Sequence, residues 1–510
     1  MTNCDRVIGN TAGGGSNSSN SDVDLLNSRY NSLSTNHIDA CTISIIHSNC
    51  QSAMNKKSEV VNLIDAQQPH TLALTEFGAS DAIMDNELGI EGYTLYRNNH
   101  SDGSGGPGRG AAILSFMVMN KLITWQQHGF VRGRSCQTNI LMCLERWTEM
   151  VDSGKSVDVA YFDYAKAFDK VSHRLLLVKL QAYGIDGKLL AWLSAWLEGR
   201  RQRVVVGNAK SPWLPFISGT TQGTVLGFLL FLIFINDLPG ECSPEDETLI
   251  MLFADDTKAF QVIEQDAGQQ VQNQKDLQNR VDRIAQWAGT WKMEINPSKS
   301  KVMHVGRQNP GLPYYINGTE IAAVSTEKDI GFWIRDDLST VTHVHKARCK
   351  ALAEIYRIKR NFSYIDKRAF CTLYNQRIRP HLAYGMTACP PGTVAEEKLL
   401  EAVQSKATAM VHGLKYRNSE ERRRQLGLMS LNQRRERGDL IEVFKILKGH
   451  TKIDPALFWE VREARNGARL VKNLAENGRR QRQNFFTYRV IQKWNLLPVN
   501  LRRAPSMDSF

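Results

Sequence analysis

Apolar and polar positions form blocks around one acidic stretch of the chain. Apolar residues dominate positions 249–253 and 259–263, and Asp255-Asp256-Thr257-Lys258 lies between them. An apolar run that stops at turn-forming residues and then resumes predicts a strand, a tight turn and a second strand. Residues 157–164, VDVAYFDY, predict a further strand with Asp163 near its end. We therefore expect acidic side chains at the ends of sheet strands.

The remaining pattern predicts an α+β chain. Apolar positions recur at helical spacing in residues 138–151, 173–185 and 188–200, and in a long segment that begins at residue 266. We interpret Trp192 and Trp196 as core residues. Residues 41–50, 56–67 and 70–77 predict a strand, a helix and a strand, which is a β-α-β start. Residues 1–37 are rich in Ser, Asn and Gly, and we predict that they are disordered.

Charge is distributed unevenly along the 510 residues. Residues 341–510 hold 34 Lys and Arg against 15 Asp and Glu, a net +19, whereas residues 1–340 hold 30 against 37, a net −7. A basic half of this size indicates binding to a polyanion such as nucleic acid. The alternative is a well-solvated helical surface.

The composition also limits the location of the protein. The longest apolar run, residues 225–235, is too short to cross a bilayer, so we expect no membrane segment. The nine cysteines include no Cys-x-x-Cys pair, and an odd number indicates reduced thiols. We expect an intracellular protein of the nucleus or cytoplasm.

Two adjacent carboxylates at the tip of a half-buried hairpin repel each other unless a cation neutralises them. Carboxylate oxygens are the ligands that Mg²⁺ prefers. If Asp163 converges with Asp255 and Asp256, the three can hold two magnesium ions, an arrangement suited to in-line phosphoryl displacement. An isolated Asp-Asp pair would more often be an exposed turn.

Three motifs occur in the order of a known family: YFDYAKAFDKVSH (161–173), GTTQGTVLGFLLFLIFINDLP (219–239) and FADDTK (253–258). They resemble the palm motifs of reverse transcriptases of non-LTR (LINE-type) retrotransposons. The resemblance implies a right-hand polymerase palm with a fingers remnant over residues 119–340. It also implies an α-helical thumb and C-terminal region over residues 341–510. The implied activity is RNA-directed DNA synthesis with an RNA template, a DNA primer and deoxynucleoside triphosphates.

The resemblance also implies roles for individual residues. The implied catalytic residues are Asp163, Asp255, Asp256 and Lys299, of which the three aspartates bind the two Mg²⁺ ions. The implied nucleotide contacts are Phe168, a steric gate against the ribose 2′-hydroxyl, together with Gln222, Gly223, Arg132 and Arg134. The implied phosphate contacts in the basic half are Arg422, Arg423, Arg424, Arg434 and Arg435. For Phe168 the alternative is a core residue, and for Lys299 it is an ordinary exposed lysine.

Residues 38–118 resemble the beginning of the α/β endonuclease domain that precedes the polymerase in this family. Asn49 and Glu76 match metal-site residues of that domain, but no later segment supplies its remaining ligands or its catalytic His. We therefore interpret this part as a vestigial, inactive fragment.

Polymerase-like sequence begins near Gln127 without the usual upstream fingers segment. The junction near residues 110–130 looks like a deletion or a spliced gene model. The competing interpretation of the whole chain is thus a catalytically impaired, nucleic-acid-binding remnant of a mobile element.

Overall fold

The structure is a computed structural model. It describes residues 45–49, 71–75, 117, 120–220, 225–462, 467–472, 480–507 and 509–510. The predicted disordered segment, Glu76 and the Gln222-Gly223 pair lie outside the described residues, as does the side chain of Asn49.

The first part of the chain holds two parallel strands, then helices and short hairpins. The elements are β1 (Ile45–Asn49), β2 (Thr71–Thr75), α1 (Cys136–Asp152), β3 (Ser156–Phe162), α2 (Ala167–Lys170), α3 (His173–Ala182), α4 (Gly187–Leu197), β4 (Arg201–Gln202), β5 (Val205–Val206), β6 (Ala209–Lys210) and β7 (Leu214–Pro215). The strands predicted within residues 41–50, 70–77 and 157–164 and the helices predicted at 138–151, 173–185 and 188–200 are present, whereas the helix predicted at 56–67 lies outside the described residues. Trp192, however, is 37% exposed, so its assignment to the core was wrong.

The middle of the chain contains an apolar helix and strands that include four of the five in the central sheet. They are α5 (Val225–Ile235), α6 (Leu238–Cys242), β8 (Ile250–Phe253), β9 (Asp256–Ile263), α7 (Ala267–Thr290), β10 (Lys301–Val305), β11 (Tyr315–Ile316), β12 (Thr319–Glu320), β13 (Ala322–Ala323), β14 (Thr326–Asp329) and β15 (Phe332–Arg335). The predicted hairpin at residues 249–263 and the long amphipathic helix are confirmed.

The described part of the basic half is mainly helical. Its elements are α8 (Val341–Asn361), α9 (Lys367–Leu373), a π-helical turn (Tyr374–Ile378), α10 (Arg379–Ala383), α11 (Val394–Thr408), α12 (Ser419–Gln425), α13 (Leu431–Leu447), β16 (Glu460–Arg462), β17 (Arg469–Val471), α14 (Arg480–Asn484), α15 (Phe486–Arg489), α16 (Ile491–Asn495) and α17 (Val499–Arg502).

A five-stranded sheet in the order β13-β10-β3-β9-β8 positions the acidic residues. Strand β3 lies between β10 and β9 and is antiparallel to both. All but one of its residues are buried, which explains its near-continuous apolar sequence. Helix α1 buries Ile140, Leu144 and Trp147 in the same hydrophobic cluster as Val157 of β3.

The chain divides into two compact units, Met1–Leu122 with Ser172–Ile217 and Ile123–Val171 with Ser218–Phe510. The second unit contains the five-stranded sheet and two hydrophobic clusters. One cluster runs from Val344 to Leu426 and consists of helical residues and their loops. The other joins the sheet and α1 to residues 443–510, including Phe444, Trp459 and Trp494. The basic half therefore contributes to two different cores.

Across the described residues, no helix combines the length and the apolar character needed to cross a membrane.

Candidate active site

The sheet brings the three predicted aspartates to one edge. The last pair in the β3–β9 ladder is Phe162 with Thr257, so the next position places Asp163 opposite Asp256. Strands β8 and β9 pair Phe253 with Asp256, which leaves a two-residue turn that contains Asp255. The ladder thus places the acidic residues of two motifs, more than 90 residues apart in sequence, side by side.

The turn that carries Asp255 has a strained backbone, and hydrogen bonds from a distant residue stabilise it. Ala254 has φ of 55°, a left-handed conformation that a two-residue hairpin demands but that a β-carbon disfavours. The Gln127 side chain holds it: Oε1 accepts from Ala254 N at 2.8 Å, and Nε2 donates to Ala254 O at 3.3 Å. The same Oε1 accepts from Gly129 N at 2.8 Å. A β-carbon at Gly129 would lie 2.4 Å from Ala254 N, so only glycine fits there.

Backbone contacts extend this brace. His128 N donates to Leu252 O at 3.0 Å, and Leu252 N donates to Gln126 O at 3.1 Å. Asn139 of α1 adds a donor to Leu252 O at 3.0 Å. The segment 126–129 thus runs beside β8 as an added, parallel partner. Sequence analysis assigned this segment to the fingers and missed Gln127, because the residue acts through a contact 127 positions away.

Asp163 is held from the other side by the loop after α7. Its backbone N donates to Ser300 Oγ at 3.2 Å, and its carbonyl accepts from Asn296 N at 2.8 Å. Lys299 of this loop places its Nζ 3.9 Å from Asp163 Oδ2, and both side chains are largely exposed. The predicted catalytic lysine therefore lies at the acidic edge.

The carboxylates influence one another. Burial, and then the Asp163 charge, raise the pKa of Asp255. Lost hydration, followed by the charges of Asp255 and Asp329, raises the pKa of Asp256 from 3.8 to about 6. Lys258 opposes this rise through its positive charge. The three acids are therefore close enough to disfavour full ionisation.

Lys258 and Asp329 form a buried ion pair behind the acidic edge. Lys258 Nζ donates to Asp329 Oδ2, and the two side chains are 1% and 3% exposed. The pair links β9, two residues after Asp256, to the β14–β15 hairpin. Removing one partner of such a pair leaves a buried charge uncompensated, which costs roughly 3–5 kcal/mol. This pair was not predictable from local patterns, because its partners are 71 residues apart.

Phe168 belongs to an aromatic cluster. Its ring stacks on Phe231 with centroids 4.0 Å apart and meets the edge of Phe228 at 5.9 Å. Phe228 in turn stacks on the exposed ring of Phe130 at 4.3 Å. The Phe168 backbone accepts from Thr220 N at 2.9 Å. The predicted gate is thus half-buried and aligned by neighbouring rings.

The two arginines predicted to contact the nucleotide have different surroundings. Arg134 Nη1 donates to the carbonyls of Thr124 and Gln127 at 2.7 and 2.8 Å. Arg134 therefore helps to shape the brace of the turn. Arg132 is exposed.

Most of the arginines predicted to contact phosphates bond to protein groups. Arg422 is buried and donates to Thr408 Oγ1 at 3.0 Å and to Ser405 Oγ at 2.7 Å. The further contacts are Arg423 to Ser419 Oγ at 3.1 Å, Arg424 to Glu421 at 2.8 Å and Arg435 to Glu397 at 2.6 Å. Arg434 is exposed. The guanidinium of Arg422 in particular faces the protein interior.

In the part of the chain that the structure describes, no three Asp, Glu, His or Cys side chains lie close enough together to hold one ion as they stand. The chemistry of the acidic edge nevertheless fits a hard divalent cation. Its donors are carboxylate oxygens. Burial, and then the charges of neighbouring acids, raise the pKa values of Asp255 and Asp256, and a bound cation would offset both effects by stabilising the ionised carboxylates.

The sheet, its acidic edge and the braced turn form the arrangement that the sequence motifs predicted for a polymerase palm. Residues 111–352 match the family described as reverse transcriptase (RNA-dependent DNA polymerase). Over these residues, a little under half of the chain, the protein is similar to reverse transcriptases.

Two similar proteins come from Drosophila melanogaster. The probable RNA-directed DNA polymerase from transposon X-element is 25% identical over 311 residues, which are 60% of this chain and 34% of that protein. The RNA-directed DNA polymerase from mobile element jockey is 23% identical over 322 residues, 59% of this chain and 34% of that protein. This chain thus spans about a third of the length of these relatives.

Among solved structures, telomerase from Candida albicans, in complex with a fragment of telomeric RNA, matches 59% of this chain and 55% of its own. The TM-score is 0.32 and the sequence identity 10%. A TM-score this low does not support a shared fold.

Proposed function

We propose that this chain is an RNA-directed DNA polymerase that extends a DNA primer on an RNA template with deoxynucleoside triphosphates. The observation that carries the proposal is the convergence of Asp163, Asp255 and Asp256 at one edge of the sheet. The family match and the retrotransposon relatives support it. We further propose that it works inside the cell, in the nucleus or cytoplasm.

Reverse transcriptases generally use divalent metals, and we propose that Asp163, Asp255 and Asp256 hold two Mg²⁺ ions here. When bound, such ions supply charge stabilisation to both the attacking and the leaving oxygen of the displacement. Hydrogen bonds within the protein hold the backbone that carries these carboxylates in place. Gln127 fixes the turn of Asp255, and Ser300 and Asn296 fix the backbone of Asp163.

Other side chains bind and select the nucleotide. The ammonium group of Lys299, 3.9 Å from Asp163, lies where it can attract the triphosphate and donate a proton to the departing pyrophosphate. Phe168 excludes a ribose 2′-hydroxyl by a steric clash. We retain Arg132, Gln222 and Gly223 as nucleotide contacts on the basis of the sequence motifs.

Residues 38–118 are proposed to be an inactive endonuclease-like fragment, because the sequence motifs of that domain are incomplete. The palm and the C-terminal half then act without a functional nuclease. Supercoiled plasmid nicked by the wild-type protein, but not by a Glu76→Ala variant, would contradict this assignment.

Primer extension by the purified full chain tests the polymerase. We expect extension of a DNA primer on RNA that requires Mg²⁺, and a loss on the order of 10²-fold or more in Asp255→Asn. The matched control is Asp282→Asn, on the exposed face of α7, which should extend like the wild type. Undiminished extension by Asp255→Asn would refute the aspartate assignment.

The impaired-remnant alternative has its own test. A chimera that carries the family's upstream fingers segment between Ser115 and Gln127 is compared with the present chain on the same primed RNA. Equal rates show that the segment is dispensable. Activity in the chimera alone places the present chain among the remnants.

A further inference from the structure

Two neighbouring segments of the basic half form one surface. Lys406, near the end of α11, donates from Nζ to the Tyr356 hydroxyl of α8 at 2.6 Å. Beyond the two helices, His412 N donates to Ile365 O at 2.9 Å, and the rings of Tyr364 and His412 lie 4.9 Å apart. The C-terminal ends of α8 and α11, with the loops that follow them, therefore present residues 356–368 and 406–417 side by side.

This surface exposes an unusual number of aromatic rings. Tyr356, Phe362, Tyr364 and Tyr416 are 52%, 48%, 62% and 93% exposed. Single exposed apolar side chains are normal on a protein surface, but a group of large ones indicates a binding site. The rings are also unlike a core, because the buried cluster of the same helices lies beneath them and includes Ile355, Ile358 and Ile365. We refer to the four rings and the cations around them as the aromatic–basic surface.

The same two segments are strongly positive. Residues 356–368 and 406–417 together hold eight Lys and Arg and one Asp, a net charge of +7. Lys359, Arg360, Lys415 and Arg417 are exposed. Ammonium groups lie over two of the rings, Lys406 over Tyr356 at 4.4 Å and Lys415 over Tyr416 at 5.4 Å. At least two of the exposed rings thus lie directly beside a lysine ammonium group.

We infer that the aromatic–basic surface binds single-stranded RNA, with bases stacked on its tyrosines and phosphates paired with its lysines and arginines. Unpaired bases stack on exposed aromatic rings, and a cationic groove follows their backbone. A duplex hides its base faces, so four exposed rings would gain little from it. A protein partner that docked through apolar contacts would meet a net charge of +7. The inference rests on the proposed function in one respect: we choose RNA as the ligand because RNA is the proposed template.

This location differs from the arginine cluster that the sequence indicated. Arg422 is buried, and Arg424 and Arg435 are paired with carboxylates. A cation that is already paired gains less from a phosphate, because it must first lose its partner. The exposed cations Lys359, Arg360, Lys415 and Arg417 lie instead beside the exposed aromatic rings.

Equilibrium binding of a short, fluorescein-labelled single-stranded RNA to the full chain tests the rings. The assay contains no triphosphate, so its result is independent of polymerase activity. We expect Tyr364→Ala/Tyr416→Ala to weaken binding about tenfold or more, since each base–aromatic stack contributes roughly 1–3 kcal/mol. Tyr364→Phe/Tyr416→Phe retains the rings and should bind like the wild type. The control for loss of an exposed tyrosine is Tyr315→Ala, in β11.

The salt dependence of the same assay tests the cations. Lys415→Ala/Arg417→Ala should reduce the slope of log affinity against log salt by about 0.7 for each lost phosphate contact. The matched control is Arg462→Ala, which removes an exposed arginine paired with Glu460 and should leave the slope unchanged.

Two results would overturn the inference. One is equal affinity of the wild type and the Tyr364→Ala/Tyr416→Ala variant for single-stranded RNA. The other is an equal loss for duplex RNA, which would show that the rings do not stack on unpaired bases. Thermal melts establish whether each variant is folded. If the alanine variant is not folded, the salt dependence of the Lys415→Ala/Arg417→Ala variant still tests the inference. A negative binding result leaves primer extension on a pre-annealed template as a separate measurement of the proposed function.

Discussion

Asp256 occupies surroundings that oppose its own charge. Its pKa is raised from 3.8 to about 6, chiefly by lost hydration and by the charges of Asp255 and Asp329. A proton therefore binds the folded state more tightly than the unfolded state, and between about pH 3.8 and pH 6 this residue makes the fold less stable as the pH rises. A bound cation relieves the same repulsion, so the site trades stability for function.

Asp256→Asn should accordingly stabilise the metal-free protein near neutral pH. The full shift would correspond to roughly 3 kcal/mol. Because part of the residue remains in contact with water, solvent screening reduces this energy, and we expect a gain on the order of 1 kcal/mol. Thermal melts in EDTA measure this gain, which should vanish near about pH 4. Added Mg²⁺ should stabilise the wild type more than the variant, and a variant less stable than the wild type at neutral pH would contradict the repulsion.

Phe168→Val should admit ribonucleotides, because the smaller side chain no longer fills the space of the 2′-hydroxyl. The stack on Phe231 fixes the orientation of the ring, so its removal also leaves a gap in the aromatic cluster. Extension with ribonucleoside and deoxyribonucleoside triphosphates, compared as kcat/KM, measures the discrimination. The control is Tyr315→Val in β11, which removes an exposed ring that belongs neither to the active site nor to the aromatic–basic surface. Unchanged discrimination would make Phe168 only a packing residue.

Single residues differed in how far the sequence revealed them. Asp163, Asp255 and Asp256 were predictable, since each follows an apolar strand in a short local motif. The buried ion pair of Lys258 could not be predicted from the sequence, because it depends on where Asp329 lies in space. Arg422 stood in an arginine run that indicated phosphate binding, but its partners Ser405 and Thr408 come from another helix.

At the scale of elements, the β8–β9 hairpin depends on a segment that is distant in sequence. Ala254 occupies a left-handed conformation that costs on the order of 1–3 kcal/mol for a residue with a β-carbon. Gln127 satisfies both polar backbone groups of that residue. The strained conformation therefore persists because the neighbouring segment specifies it.

Gln127→Leu should impair catalysis through the turn. The buried N–H groups of Ala254 and Gly129 lose their acceptor, which costs about 1–3 kcal/mol for each unsatisfied group. The turn then relaxes and moves Asp255, and a displacement of about 1 Å in such a site costs on the order of 10²-fold in rate. Primer extension measured well below the melting temperature gives kcat and the Mg²⁺ dependence.

The matched control is Gln286→Leu, on the exposed face of α7. A Gln127→Leu protein that is folded and as active as the wild type would show that the brace does not position the carboxylate. A variant with a lower melting temperature but normal kcat would limit Gln127 to a role in stability.

The strands and long helices were predictable because the apolar period of each is local. The hairpin, β3 and α7 all lie where their patterns indicated. The parallel partner of β8 at residues 126–129 was not predictable, since it consists of single backbone contacts without an apolar run. Elements that pair through the backbone alone leave little trace in side-chain patterns.

At the scale of the molecule, the charge distribution indicated one basic half, whereas the residues of that half pack into two different hydrophobic clusters. Residues 344–426 build their own helical cluster, and residues 443–510 complete the core that contains the sheet. Net charge is a sum over the surface and carries no information about which apolar faces meet. The sequence therefore predicted a polyanion-binding half but not that its end supports the palm.

Glu145 of α1 forms ion pairs with two residues from the C-terminal end of the chain. This 6%-exposed carboxylate accepts from Arg482 Nη2 at 2.7 Å and from Lys472 Nζ at 2.6 Å. Arg482, itself 2% exposed, also donates to Thr148 Oγ1 at 2.9 Å. Helix α1 in turn supplies Asn139, which bonds to β8 beside the acidic turn. Contacts of the C-terminal end thus reach the active site through one helix.

Arg482→Met should destabilise the whole second unit and lower polymerase activity with it. The substitution leaves the Glu145 carboxylate buried with weaker compensation, and loss of one partner of a buried pair costs about 3–5 kcal/mol. Denaturant unfolding measures the loss, and primer extension at a temperature where the variant stays folded measures how far α1 transmits it. The control is Arg462→Met, whose ion pair with Glu460 is exposed on both sides and should contribute less than about 1 kcal/mol. If both variants lose equally little stability, the C-terminal end is attached by apolar contacts alone, and the buried pair has no role in supporting the palm.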